Sequence, residues 1–418
     1  MKSIKFFLAC ICMFCGIAHA DTKLVVASFY PVDQTAGMDG IVKAFEEQNP
    51  GVKIEFQVTP FDQYLPKILS QMAAGDPPDV IGVENTPFPQ FVDKNVLLNL
   101  NDYLASSSKL KKEDFFQSLL ERYTYNETVF GIPYDAQPGT MLFYNPAIYD
   151  KMGVSYPDEN TTIDEYYDKL KKLTHKDGDK TIYGAAAVTW EQAVYGHGGR
   201  LVDDLRNPKM CMLNSPEAKE GLQLAVDMML VHEAIPSIAT IESIGGSTGA
   251  LFYTGQAASH FNGFWDLVFN QDPYIDNSIK ATVYPTKDLS NRTYRTGGTA
   301  YAITRNAKNP ELAWKFIEMF MGKEGYENAV AASKNKVIYP PAHKPSYDWY
   351  MSLEFPFSDM LLVNEQMLPD VIFSPYDLNW PEISSKCINA DMDLILRGSK
   401  PVSETLDEIC ECVNKRLN

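Results

Sequence analysis

The chain has 418 residues, 45% hydrophobic and 22% charged, with 54 acidic side chains against 37 Lys and Arg and a formal charge of −17. So acidic a surface repels nucleic acid and anionic membranes, which disfavours a nucleic-acid role. The length supplies more than one compact core.

Residues 1–20 carry Lys2 and Lys5, an apolar run from Phe6 to Ile17, and Ala18-His19-Ala20 ahead of Asp21. These are the parts of a secretory signal, cleaved after Ala20. Phe7-Leu8-Ala9 before Cys10 is the nearest approach to a lipid-attachment box, but it leaves almost no apolar core ahead of the cut. No later run reaches the roughly 20 apolar residues of a membrane helix, so the mature protein is expected to be soluble and periplasmic. Loss of the two leader lysines takes the formal charge from −17 to −19.

From residue 24 the chain alternates strand and helix. Residues 24–28 form an apolar strand, and Met38, Ile41, Val42 and Phe45 recur at helical spacing. Val52, Ile54, Phe56 and Val58 alternate strictly, Tyr64, Leu65, Ile68, Leu69 and Met72 are helical again, and 79–83 is a third strand. The β-α-β-α-β order predicts a mostly parallel sheet. Ligands of such sheets collect outside the carboxyl ends of the strands, here Phe29-Tyr30, Pro60-Phe61 and Glu84-Asn85. At Gly131-Ile132-Pro133-Tyr134-Asp135 the proline, with Pro138-Gly139 after it, breaks regular structure before the short strand 141–144. This stretch reads as a crossover between two lobes, with Asp135 and Gln137 inside it.

Beyond it, 162–173 is helical, and Ser215-Pro216 caps a long amphipathic helix through Leu230. Gly245-Gly246-Ser247-Thr248-Gly249 formally matches a nucleophile elbow, but no buried strand precedes it and no triad histidine is identifiable by motif. Ser247 or Thr248 reads better as the cap of a helix over 250–259. Residues 281–284 make a strand before a second crossover, Asn309-Pro310 caps a helix ending at Gly322, and a third crossover is expected around 331–339.

Four cysteines remain after cleavage: Cys211, Cys387, Cys410 and Cys412. The helices expected at 384–396 and 404–417 are joined by a short turn and run antiparallel, which sets Cys387 opposite Cys410 on the apolar stripe of Leu406, Ile409 and Val413. One Cys387–Cys410 bridge is the expectation, with four buried reduced thiols as the open alternative. No histidine stands near the Cys-x-Cys pair at zinc-ligand spacing. Nothing in the chain asks for a cofactor.

Several stretches together resemble the maltose-binding type of ABC-transporter solute-binding proteins. They are Gly-Ile-Pro-Tyr at 131–134, Leu-Phe-Tyr-Asn at 142–145, Asp-Lys-Met-Gly at 150–153, Ala-Gly-Asp-Pro-Pro-Asp-Val at 74–80 and Asn-Ser-Pro-Glu-Ala at 214–218. Gly-Gln-Ala-Ala at 255–258, running on to Trp265, and Asn-Pro-Glu-Leu-Ala-Trp-Lys-Phe-Ile at 309–317 complete the set. The joint order of these short motifs over nearly the whole mature chain carries the resemblance. It implies an α/β fold of two lobes, each a mostly parallel sheet flanked by helices and joined by about three hinge crossovers. The expected boundaries are 1–20 signal peptide, 21–133 first lobe, 134–282 second lobe, 283–331 first lobe again and 332–418 second lobe. It also implies a monomer that captures a sugar or oligosaccharide between the lobes, delivers it to a membrane permease and has no catalytic role.

Sugars are bound by aromatic rings against their C–H faces and by planar polar groups on their hydroxyls. The aromatic candidates are Tyr30, Trp190, Trp265 and Trp380, the last two at positions where the resembled family places stacking tryptophans. The polar candidates are Glu84, Asn85, Asp135 and Gln137, with Arg200, Asp266 and Asp377 behind them. Each, taken alone, is more often a core, cap or surface residue. Two readings compete: the same scaffold loaded with a polyamine or glycerol phosphate, the latter needing arginines such as Arg200, Arg292 and Arg295, and a secreted hydrolase using two carboxylates.

Overall fold

Apolar strands alternating with amphipathic helices build two separate five-stranded sheets in the computed structural model, which describes residues 22–30, 37–270, 272–276, 278–295, 298–334 and 336–417. The leader and its cleavage point lie outside the described residues. In the first sheet the order is Val52–Val58, Thr22–Ser28, Val80–Glu84, Thr299–Ile303, Ile132–Pro133. The three early strands pair in parallel. Thr299–Ile303 returns from far along the chain and inserts antiparallel between Val80–Glu84 and Ile132–Pro133.

The second sheet has the order Lys280–Val283, Met141–Tyr144, Ala257–Asn262, Lys180–Ala185, His175–Asp177. Only Ala257–Asn262 with Lys180–Ala185 is a parallel pair; the other three pairs are antiparallel. Mostly parallel therefore describes strand direction in the first sheet, whereas the second is mixed. Met141–Tyr144 is wholly buried between two partners, which explains its unbroken apolar sequence.

Helices start where short polar side chains accept backbone N–H groups. Thr162 makes a capping box with Glu165, Ser215 caps Pro216–Leu230 and Asn309 caps Pro310–Met321. Ser247 likewise accepts from the Ala250 N–H and caps Thr248–Tyr253. The residues ahead of it, Ile238–Ser243, are helix rather than the strand an elbow requires. The helix expected over 250–259 is shorter than the sequence suggests. Gly255 takes φ +71° and stops it, and Ala257–Asn262 is an inner strand of the second sheet.

The tail differs more. Trp380–Ile383 and Ala390–Leu396 are α-helical, but Ser384–Asn389 between them is a π-helix. Widening that turn rotates Cys387 away from the position a regular helix would give it. The expected Cys387–Cys410 bridge is thus corrected: Cys387 joins Cys412, and Cys410 joins Cys211. The hairpin argument considered only the two tail helices. Cys211 arrives from 199 residues away, on a segment paired with Val202 and packed in the same apolar cluster as the final helix Val402–Asn414. Among the described residues no helix is long and apolar enough to cross a membrane.

Non-reducing peptide mapping should recover the two pairs 211–410 and 387–412. Replacing Cys211 and Cys410 by serine should cost about 2–5 kcal/mol in urea unfolding, the usual loss for a native bridge. A 387–410 peptide would contradict this pairing.

Candidate functional site

Two passages of chain between the sheets, after Ile132–Pro133 and after Lys280–Val283, lie side by side with a third stretch, around Pro340, that leads from the first sheet to the later helices. The first, after Ile132–Pro133, is flanked by the other two: Tyr134 N–H donates to Thr299 O at 2.8 Å and Gly139 N–H to Arg295 O at 2.7 Å. On its other side Ala136 N–H donates to Pro340 O at 2.8 Å and Ala342 N–H to Tyr134 O at 3.2 Å. Asp135 sits at the centre with no exposed surface. Its Oδ1 accepts the Thr299 N–H at 2.8 Å, and Gln137 Nε2 donates to its Oδ2 at 2.5 Å. Burial pushes its carboxyl up to about 6, against the pull of the Thr299 N–H and of the buried Arg122 guanidinium.

In front of this junction opens a cavity of about 430 Å³. Phe29, Tyr30, Phe61, Glu84 and Thr299 of the first lobe line it opposite Trp265 and Phe269 of the second, with Arg295 and Tyr339 from the connecting passages. The strand ends deliver these groups as parallel sheets do: Tyr30 follows Thr22–Ser28, and Glu84 closes Val80–Glu84. Trp265 opens the short helix Trp265–Phe269, and its ring folds over Gly263, where a Cβ would come within 2.0 Å of it. Only glycine admits that approach. Phe61 and Phe269 are 60% and 49% exposed, an unusual state for phenylalanine that leaves their rings free to the cavity.

A neighbouring hollow of about 210 Å³ shares Glu84 and Arg295 with the first and adds Asn85, Trp190, Glu191, Ser374 and Trp380. The Glu84 carboxylate accepts from Asn85 Nδ2 at 2.5 Å and from the Thr86 N–H at 2.8 Å. Burial raises its pKa, opposed by Thr86 and by the nearby arginines Arg295 and Arg122. Asn85 in turn accepts the Ser374 N–H at 2.9 Å, so its amide also ties the first lobe to the 371–374 segment.

Of the residues singled out in the sequence, the structure places Tyr30, Glu84 and Trp265 in one cavity, and Glu84, Asn85, Trp190 and Trp380 in the adjoining one. Trp380 keeps only 4% of its surface exposed and packs among Cys387 and Ile388, so most of its ring serves the core. Asp135 and Gln137 reach neither cavity; their place as ligand contacts is corrected to a buried tie within the hinge, since their hydrogen bonds are directed at each other and at Thr299. Asp266 is likewise turned inward, accepting from Tyr253, Asn262 and Asn270. Sequence reasoning missed Phe269, although its i,i+4 relation to Trp265 on a helix puts the two on one face. Arg295 was weighed only as a phosphate ligand.

Asp135→Ala should therefore lower stability by about 3–5 kcal/mol, the cost of removing one partner from a buried, charged hydrogen-bond cluster. Urea unfolding of the unliganded protein measures this; an unchanged midpoint would return Asp135 to the ligand-contact class.

A family model described as bacterial extracellular solute-binding protein matches residues 31–327. An arabinooligosaccharide-binding protein of Bacillus subtilis is 27% identical over 298 residues, covering 68% of this chain and 66% of its own. Among solved structures, an ABC substrate-binding protein of Listeria monocytogenes in complex with cycloalternan superposes with a TM-score of 0.80 at 21% identity, over 94% of this chain and 98% of the other. A sugar-binding protein of Xanthomonas citri gives 0.76 at 20% identity, over 95% and 97%. With two sheets joined by adjacent passages, a cavity between them, and a family match over most of its length, the chain belongs to the bacterial extracellular solute-binding proteins.

Proposed function

We propose that the protein captures a sugar or oligosaccharide between its lobes and hands it to an ABC importer, acting as a monomer and without catalysing any reaction on it. The observation that carries this reading is the wall of the larger cavity. Aromatic rings of Phe29, Tyr30 and Phe61 on one lobe face Trp265 and Phe269 on the other, with Glu84 and Arg295 between them. Flat apolar rings match the C–H faces of a pyranose or furanose, and a carboxylate beside a guanidinium offers acceptors and donors to its hydroxyls. Relatives named for arabinooligosaccharide, cycloalternan and sugar binding support the same ligand class. Family membership, a leader-like amino terminus and the lack of a membrane-crossing helix among the described residues fit delivery from outside the membrane.

Closure of the lobes about the bound sugar would take it out of water and strengthen each of those hydrogen bonds. A ligand at 100 times its Kd stabilises the folded form by about 2.7 kcal/mol. For lobes of this size that corresponds to an upward melting shift of about 5–10 °C. One saccharide in a panel of mono- and oligosaccharides should give such a shift, with a change in tryptophan emission. Trp265→Ala should remove most of the shift while lowering the unliganded melting temperature much less, because the half-buried ring lines the cavity and only its inner part packs on the core. A shift for a polyamine or phosphate ester alone would replace the carbohydrate assignment.

A further inference from the structure

Arg295 occupies a position unlike any other charged residue of the site. It lies in the short strand Tyr294–Arg295, which pairs with Val371–Ile372, and its carbonyl accepts the Gly139 N–H of the first passage between the lobes. The backbone is thus fixed on both sides at the hinge. Its side chain remains 56% exposed, and Arg295, with Glu84, lines both cavities. Among the described residues no side chain or carbonyl takes a hydrogen bond from that guanidinium. Its one ion pair, to Glu191 in the first turn of Trp190–Gly196, is stretched to 4.0 Å. Its charge also favours the ionised form of Glu84 of the first lobe, against burial. A cation with five N–H donors in a fixed fork therefore shares the cavity wall with one carboxylate from each lobe, and among the described residues none of those donors is taken up by a hydrogen bond.

We propose that Arg295 determines specificity in this cavity: its fork donates to adjacent hydroxyls of an uncharged sugar, and the flanking carboxylates of Glu84 and Glu191 turn away sugars bearing a carboxylate or phosphate. The inference rests on the carbohydrate reading above and narrows it. Counting Asp135 and Arg122 as well, since the Arg122 charge reaches both Glu84 and Asp135, three carboxylates and two guanidiniums leave the cluster one negative charge in excess, so an anionic ligand brings a second next to it in a partly desolvated space. A neutral sugar brings none, and its hydroxyls donate onward to Glu84 and Glu191 while accepting from Arg295. Arg295 also belongs to the hinge strand, so the contact couples ligand capture directly to a passage that must move on closure.

The test is isothermal titration of the full-length processed protein with arabinotriose, maltotriose, mannobiose, diacetylchitobiose and trigalacturonate. At least one neutral sugar should bind, and trigalacturonate should bind at least about 100-fold more weakly. Arg295→Gln and Arg295→Lys should each weaken the neutral sugar by about 10–100-fold, the worth of one or two charge-assisted hydrogen bonds, with the unliganded melting temperature unchanged. Glu191→Gln should narrow the gap between neutral sugar and trigalacturonate by at least about 10-fold, because it frees the guanidinium for a ligand carboxylate. Full affinity in both Arg295 variants, a wild-type preference for trigalacturonate, or an unchanged gap in Glu191→Gln would each overturn the proposal while leaving carbohydrate capture standing. Failure of every sugar to bind would overturn both.

Discussion

The buried carboxylate of Asp135 is the point on which the two halves of the molecule depend. Two stretches of backbone must pass between the lobes beside a third around Pro340, and none can be covered by a sheet or helix of its own. Their polar groups are satisfied by one another, with Tyr134, Ala136 and Gly139 bonded outward to the two flanking passages. Asp135 binds this bundle together by accepting from Thr299 and Gln137 while balancing Arg122. A group of this kind costs desolvation, and its return is a fixed registry among strands that have few residues with which to hold one. The cavity lies directly in front, so its geometry inherits that registry.

Contacts outside the hinge hold the lobes together at a second place. Arg206, from the cysteine-stapled part of the second lobe, lies 4.4 Å over the Phe373 ring and donates to the carbonyls of Glu121 and Thr124 in the first lobe. Tyr125 stacks on Tyr376 at 4.8 Å, and Thr86 meets Ser374 at 3.0 Å. The lobes thus touch at the back through the crossovers and at one flank through residues 373–378. The ring-lined cavity and the hollow beside it open between these two points of contact.

Much of this was legible in the sequence, because the signals were local. The β-α-β-α-β run, the caps at Ser215 and Asn309, and the strand at 141–144 each follow from periodicity and capping chemistry. Strand ends gave Tyr30 and Glu84 as mouth residues for the same reason. What escaped depends on long-range geometry. Asp135 and Gln137 lie in the crossover as expected, but whether a crossover side chain faces the cleft or the interior is decided by Thr299, 164 residues away. Ala257–Asn262 is a strand because a slot between two others awaits it, a fact no window around Gly255 contains. Arg295 reaches the cavity only because its two-residue strand pairs with Val371–Ile372.

The two bridges of the second lobe set an order of events during maturation. Cys211 and Cys387 both find their partners in the last helix, Val402–Asn414, at Cys410 and Cys412. A chain emerging amino terminus first therefore presents Cys211 long before any correct partner exists, and Cys387 appears as its first available, and wrong, match. Four cysteines allow three pairings, of which one is native. Oxidation before Val402–Asn414 is in place can therefore join only Cys211 with Cys387, so the last helix has to arrive before the bridges close.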